Sequence, residues 1–147
     1  CSAQMIQRYM SRISGPLLDR IDIHIEVPAV SFQELADKEE GEPSIDIQGR
    51  VQKAREVQLS RFKKSGNLFA NAQMESQDLK THCGLDNESS ELLRTAMDKL
   101  GLSARAYDRI LKVSRTIADL DGKIKIDSGH ISEAIQYRSL DRQLWLG

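Results

Sequence analysis

Helical spacing dominates this chain from residue 47 onward, and a single segment near the start alternates as a strand. That segment runs from Ile21 to Val27, with isoleucine or valine at every second position and Pro28 directly after it. Alternation of this kind is typical of a strand with one buried face, so we predict an edge strand. Because one strand cannot form a sheet and the chain starts at Cys1 rather than Met, we expect a longer protein with the other strands upstream.

The predicted helices are separated by residues that favour helix ends. Asp86 and Ser103 can each cap a helix N-terminus, and Gly101 can end the helix between them. Either Asp127 or Ser128 can start the last helix. Further helices are predicted over residues 3–13, 47–64 and 77–82, with an acidic linker that contains Gly and Pro over residues 37–43. The fold class is therefore mainly α, a small helical bundle tethered to the end of an α/β domain.

The composition excludes several classes of protein. The 147 residues carry a net charge of -1, which argues against a dedicated nucleic-acid coat or a membrane-surface peptide. No apolar run approaches the roughly 18 residues of a membrane span, so no membrane partner is expected. The two cysteines, Cys1 and Cys83, form no CxxC pair, and a reduced, cytoplasmic protein is the simplest interpretation.

One arginine stands at a helix start. With Ser103 as the N-cap, Arg105 is the second helical residue. A cation there opposes the helix dipole at a cost of about 0.3–1 kcal/mol. The arrangement makes sense if the guanidinium and the free N–H groups together hold a phosphate. An exposed arginine that points outward explains the position equally well.

A second arginine, Arg20, precedes the predicted strand. It sits beside Asp19 and Asp22, so a local salt bridge at the strand start is the simpler explanation. The functional alternative is a charge that projects from a rigid edge into the phosphate site of another subunit.

The remaining candidates are weaker. We expect His24 on the open face of the strand, and His82 and His130 have no metal-ligand spacing, so no metal site is predicted. The helix over residues 47–64 is basic toward its end and is the best nucleic-acid candidate, although an ordinary solvated face is favoured. No GxxxxGK[ST] loop is present, so we do not expect this chain alone to bind a nucleotide well.

Three segments carry a family resemblance: SGPLLDRIDIHIEVP at residues 14–28, LSARAYDRILKVSRTIADL at residues 102–120 and HISEAIQYR at residues 130–138. Together they closely resemble the C-terminal part of the magnesium-chelatase-like AAA+ ATPases, the ComM/YifB competence-protein family. The resemblance covers essentially the whole chain, and its two longer motifs are specific.

The resemblance implies a domain plan and two site residues. Residues 1–28 correspond to the end of an AAA+ core with its terminal edge strand, residues 29–44 to a linker, and residues 45–147 to a helical insertion and lid. Arg20 corresponds to the arginine finger, which reaches the γ-phosphate bound by a neighbouring subunit. Arg105 corresponds to the sensor-2 arginine of the lid. The phosphate loop and the Mg²⁺-binding acidic motif of the family lie upstream of these segments.

The resemblance also implies a function for the full-length protein. It implies an ATPase that uses ATP and Mg²⁺, assembles into a hexameric ring and drives DNA branch migration in natural transformation. The fragment alone would be inactive and would bind no cofactor tightly. Two alternatives stay open: a magnesium-chelatase-type remodelling ATPase that acts on a protein partner, and a non-enzymatic helical interaction module.

Overall fold

The computed structural model describes residues 41–138 continuously and, before them, residues 4, 5, 8, 12, 17, 20–25 and 27–29. Within residues 41–138 there are five α-helices and one short 3₁₀ helix, and none of the described residues forms a strand. The elements are α1 (Ser44–Phe62), the 3₁₀ helix (Asn71–Gln73), α2 (Ser76–His82), α3 (Asn87–Leu100), α4 (Ala104–Leu120) and α5 (Ser128–Gln136). The prediction of a mainly helical fold is confirmed.

Helix α4 lies at the centre of the bundle. It packs against α1, α2, α5 and the 3₁₀ helix, while α3 packs against α5. Its buried apolar residues recur at helical spacing and give one apolar face, as expected for a helix that organises a core. The core also draws on the other elements and is almost entirely aliphatic: Phe62, Met74, Leu79, Leu93, Ile110, Leu111, Ala118, Ile126, Ile131 and Ala134 are its main members.

The predicted helix ends around α3 and α4 are confirmed. The Asp86 carboxylate accepts the Ser89 N–H at 2.8 Å, and the Ser103 hydroxyl accepts the Ala106 N–H at 3.2 Å. Each bond satisfies one of the N–H groups that a helix start leaves without an intrahelical partner. Gly101 ends α3 with a φ of 62°, a left-handed conformation that glycine adopts without steric cost.

Helix α5 begins with a capping arrangement in which a histidine takes part. Asp127 is the N-cap, and its carboxylate accepts the N–H groups of Gly129 at 3.0 Å and His130 at 3.2 Å. In return, Nδ1 of His130 accepts the Asp127 N–H at 3.0 Å. The choice between Asp127 and Ser128 is thereby settled in favour of Asp127, and His130 is a buried structural residue.

The predicted strand is wrong for the residues that the structure describes. Residues 21–25 and 27 form no ladder, because no neighbouring strand is present among the described residues to accept their hydrogen bonds. The expected orientation is also reversed: His24 is 6% exposed, whereas the apolar side chains of the alternating set remain accessible, from 40% at Ile21 to 81% at Val27. The backbone of this segment contacts the helical bundle instead.

Two predicted features fall largely outside the described residues. Of the helix over residues 3–13, only residues 4, 5, 8 and 12 are described, and the first three are helical. Of the acidic linker over residues 37–43, only residues 41–43 are described. Pro43 directly precedes α1, which begins three residues earlier than predicted. The proposed boundaries at residues 28 and 44 remain predictions.

Candidate functional site

Arg105 occupies the first turn of the central helix. It follows the N-cap Ser103 by two positions, is exposed, and shares a first turn that contains no acidic residue. The positive end of the helix dipole and the guanidinium charge therefore add in the same place. An exposed cation beside a helix N-terminus has the chemistry to hold a phosphate, so this part of the chain suits an anionic ligand.

Arg20 lies in an exposed turn that leads into the segment of residues 21–25. Its backbone N–H donates to the carbonyl oxygen of Leu17 at 3.0 Å. The local salt bridge considered for Arg20 involved Asp19 or Asp22. Asp19 lies outside the described residues, and Asp22 forms its ion pair with Arg109 of α4. The carboxylate of Asp22 therefore joins the segment after Arg20 to the central helix.

Two further contacts hold this segment against the bundle. The backbone N–H of His24 donates to the carbonyl oxygen of Tyr137 at 2.8 Å. The guanidinium of Arg138, only 1% exposed, donates through Nη1 to the carbonyl oxygen of Ile21 at 2.7 Å. Both partners lie immediately after α5. The segment is thus anchored at residues 21, 22 and 24, directly after Arg20.

The structure connects the two predicted site residues through a short path. Arg109 lies four residues after Arg105, which is one helical turn, or about 6 Å along the axis. Asp22 lies two residues after Arg20 and pairs with Arg109. Arg20 and Arg105 are therefore linked through one ion pair and one turn of the central helix, a relationship that their separation in the sequence does not indicate.

A cleft of about 350 Å³ opens beside Asp22. Its walls are mostly apolar and come from the anchored segment, from α4 and from the chain after α5: they include Ile23, Ile25, Val113, Ile117, Leu120 and Tyr137. An apolar lining does not suit a phosphate, which needs charged or N–H donors. This cleft therefore does not suit an anionic ligand.

The arginines of α1 are largely engaged within the protein. Arg50 pairs with Glu42, and this contact lowers the pKa of the Glu42 carboxyl and raises that of Arg50. Arg55 donates to the Gln58 side chain at 3.2 Å and to the Phe69 carbonyl oxygen at 3.3 Å. Exposed lysines remain on and just after the helix at Lys53, Lys63 and Lys64. The helix therefore offers less free charge to a nucleic acid than its sequence suggests.

A buried polar network, which we did not predict, joins α1 to α4. Arg61 of α1 pairs with Asp119 of α4, whose carboxylate is fully buried. The same carboxylate accepts from Nε of Arg115 at 3.2 Å and from the Asn71 amide at 2.8 Å. Arg115 also donates to the carbonyl oxygens of Lys123 at 2.7 Å and Ile124 at 2.8 Å. Each charge has an opposite charge and further hydrogen bonds, which buried charges require.

The sequence does contain a sign of this network. Asp119 interrupts the apolar end of α4, between Ala118 and Leu120, and Arg115 precedes it by four residues. An acidic residue within a buried stretch needs a cation, and the spacing of four puts Arg115 on the same helical face. The third member, Arg61, lies 58 positions away, and no local pattern identifies it.

His82 is the last residue of α2 and Cys83 follows it, and the contacts of both side chains are structural. The ring of His82 meets Phe62 edge to face at 5.5 Å, and burial together with the charge of Arg61 lowers its pKa. Burial raises the pKa of the Cys83 thiol to about 11. Among the described residues, no three potential ligands converge on a metal position. None of the helices in this part of the chain is long and apolar enough to cross a bilayer.

Two known protein families together match nearly the whole chain. Residues 41–138 match the family described as magnesium chelatase, subunit ChlI C-terminal, and residues 1–35 match the family described as magnesium chelatase, subunit ChlI. Residues 36–40 separate the two matches.

Individual relatives give the same picture. The chain is 45% identical over 146 residues to competence protein ComM of Haemophilus influenzae, which covers 97% of this chain and 27% of that protein. It is 40% identical over 145 residues to YifB of Escherichia coli, covering 98% of this chain and 28% of that protein. A Mycobacterium tuberculosis protein is 30% identical over 138 residues. The chain therefore spans little more than a quarter of the length of these relatives.

Proposed function

The chain belongs to the magnesium-chelatase-like family that includes ComM and YifB, and we propose that it supplies the arginine finger and the lid of a ring-forming ATPase that remodels DNA. In this proposal the full-length protein binds ATP and Mg²⁺ and assembles as a hexamer in the cytoplasm. This chain contributes Arg20 as the finger and Arg105 as the sensor-2 arginine. The name of the Haemophilus relative, a competence protein, supports natural transformation as the process, and branch migration is what the family resemblance implies.

The connection between Arg20 and Arg105 is the observation that carries this proposal. The segment after Arg20 is held to α4, the helix that begins with Arg105, through the Asp22–Arg109 ion pair. Two arginines on separate parts of the sequence therefore belong to one mechanical unit. Such a unit suits a protein in which phosphate sensing and lid movement must occur together.

The chemistry of each arginine follows from the nature of phosphoryl transfer. Negative charge spreads over the γ-phosphate oxygens in the transition state, and a fixed guanidinium supplied by another subunit stabilises it. Arg20 is exposed and lies beside an anchored segment, so it is available to a neighbouring molecule. Arg105 adds its charge to a helix N-terminus and holds the phosphates of a bound nucleotide. Hydrolysis then depends on the ring, because the finger acts between subunits.

The test is the ATPase rate of the full-length protein with Arg20→Ala. We expect this variant to bind ATP normally and to lose on the order of 10³–10⁵ in turnover, as for other arginine fingers. Arg94→Ala is the matched control, since Arg94 is an exposed arginine of α3 that pairs with Glu91 on the same helix. A normal rate in Arg20→Ala would contradict the assignment.

A second candidate function rests on the family descriptions, both of which name a magnesium chelatase subunit. In that case the full-length protein would remodel a protein partner rather than DNA. The rate of ATP turnover, measured with and without DNA, separates the two. Stimulation by DNA supports the DNA motor, and a rate that DNA leaves unchanged favours the chelatase-type function. A full-length protein that neither binds nor hydrolyses ATP would instead favour a helical interaction module.

A further inference from the structure

We propose that Asp22 and Arg109 are positioning residues for Arg20: their ion pair sets the direction in which the finger leaves the protein. This inference rests on the proposed function and extends it to two residues that do not touch the nucleotide. Among the described residues, this contact is the only ion pair between residues 20–25 and the helical bundle.

The backbone of the segment is fixed first. The carbonyl oxygen of Ile21 accepts from the buried guanidinium of Arg138, and the N–H of His24 donates to Tyr137. These two bonds lie on either side of Asp22. They hold the main chain against the end of α5 and leave Asp22 facing α4, where Arg109 meets it.

Helix α4 gives the ion pair a rigid base. Arg109 is flanked in the helix by Ala106 and Ile110, each 1% exposed, so the backbone beneath it is fixed by core packing. The Arg109 side chain is 22% exposed and that of Asp22 is 44% exposed. An ion pair with this much access to water contributes little to global stability. Its effect is to fix the geometry of a segment that has no strand partner among the described residues.

The position of Arg109 also couples the finger to the lid helix. Arg109 follows Arg105 by one helical turn, so a movement of α4 that accompanies nucleotide contact at Arg105 moves Arg109 with it. Because Arg109 pairs with Asp22, the same movement is transmitted to Asp22, which lies two positions after Arg20. The ion pair thus gives Arg20 an orientation that follows the position of the lid.

The experiment compares Asp22→Asn, Arg109→Gln and the charge-exchanged double variant Asp22→Arg/Arg109→Asp in the full-length protein. We expect each single variant to lower kcat by about 10- to 100-fold, the range for a displaced catalytic group, with little change in KM for ATP. We expect the exchanged pair to recover most of this loss. Glu91→Gln is the matched control, because it removes one partner of an exposed ion pair in α3 and leaves kcat unchanged.

A second readout does not depend on activity. Amide exchange of a peptide that covers residues 20–25, measured without nucleotide, reports whether the segment stays anchored. We expect faster exchange in both single variants and recovery in the exchanged pair. Overall exchange in α4 and α5 is expected to stay unchanged, which separates lost positioning from unfolding.

The outcomes distinguish this inference from the proposed function. If Arg20→Ala abolishes turnover while Asp22→Asn and Arg109→Gln keep a normal kcat, the finger is retained and the positioning role is overturned. Single variants that lose activity without any recovery in the exchanged pair also overturn it. If Arg20→Ala itself hydrolyses ATP normally, the proposed function fails, and the positioning role fails with it.

Discussion

Arg61 of α1 and Asp119 of α4 form an ion pair across 58 positions of sequence, and the Asp119 carboxylate has no exposure to solvent. Through this pair the first long helix of the bundle is fastened to its central helix. The charges of Arg61 and Arg115 share one carboxylate, which makes Asp119 the residue on which the network depends.

Asp119→Asn should strongly destabilise the 147-residue chain. The substitution keeps the shape of the side chain but leaves the buried charges of Arg61 and Arg115 without a counter-charge, which costs about 3–5 kcal/mol in comparable sites. Urea denaturation followed by circular dichroism measures the change in the free energy of unfolding. Asp98→Asn, which alters an exposed residue of α3, is the control and should change it by less than about 0.5 kcal/mol. A loss below about 1 kcal/mol in Asp119→Asn would contradict the role given to the network.

Ser103→Ala should destabilise the bundle by about 0.5–2 kcal/mol, because the Ser103 hydroxyl accepts the Ala106 N–H at the start of α4. The matched control is Ser60→Ala within α1, where alanine is the better helix former and no loss is expected. Thermal unfolding of both variants gives the comparison. Equal stability of the two would show that the cap contributes nothing.

The Cys83 thiol should resist alkylation in the folded protein. Burial raises its pKa to about 11, so only about 0.1% is thiolate at pH 8. Iodoacetamide labelling with peptide mapping should therefore find Cys83 unmodified in the native state and modified in urea. Rapid native labelling would show that the site is open.

The same pKa predicts a pH dependence of stability. The folded state holds the thiol proton more tightly than the unfolded state, whose pKa is near 9.0. The contribution of this group is therefore fully present below about pH 9 and is lost as the pH rises from 9 to 11. Cys83→Ala should lose less stability over this interval than the unsubstituted chain, as measured by urea denaturation at several pH values.

Arg105→Ala should weaken ATP binding by the full-length protein, because the proposed phosphate contact is lost. Arg105→Lys keeps the charge but loses the planar guanidinium, so it should show a smaller loss of affinity. Unchanged ATP affinity in Arg105→Ala would remove Arg105 from the site.

The helix ends were predictable from the sequence because they depend on neighbouring residues. Asp86, Ser103 and Asp127 each cap a helix through a bond to an N–H two or three residues away, and Gly101 needs only its own freedom at positive φ. The positions of these residues fix where α3 and α4 begin and where α3 ends, whereas the start of α5 is narrowed only to Asp127 or Ser128 until the structure shows the Asp127 cap.

The failures concern contacts between distant residues. The alternation over Ile21–Val27 predicts a strand, but a strand exists only with a neighbour to bond, and in the described residues the segment bonds to Tyr137 and Arg138 instead. Arg61 lies at the basic end of the helix over residues 47–64, and the sequence does not show that it pairs within the protein, because its partner Asp119 lies far along the chain. The pairing of Asp22 with Arg109 cannot be predicted for the same reason, since the two residues lie 87 positions apart and form no local sequence pattern.

The central claim is that Arg20 serves the nucleotide of a neighbouring subunit, and subunit mixing tests it most directly. Full-length Arg20→Ala protein is combined with full-length protein whose own phosphate loop has been disabled, and ATP turnover of the mixture is compared with that of each protein alone. We predict that both are inactive separately and that the mixture regains turnover, since intact Arg20 from one subunit then meets an intact phosphate loop on the other. A mixture that stays as inactive as its components, or normal turnover by Arg20→Ala alone, would contradict the claim.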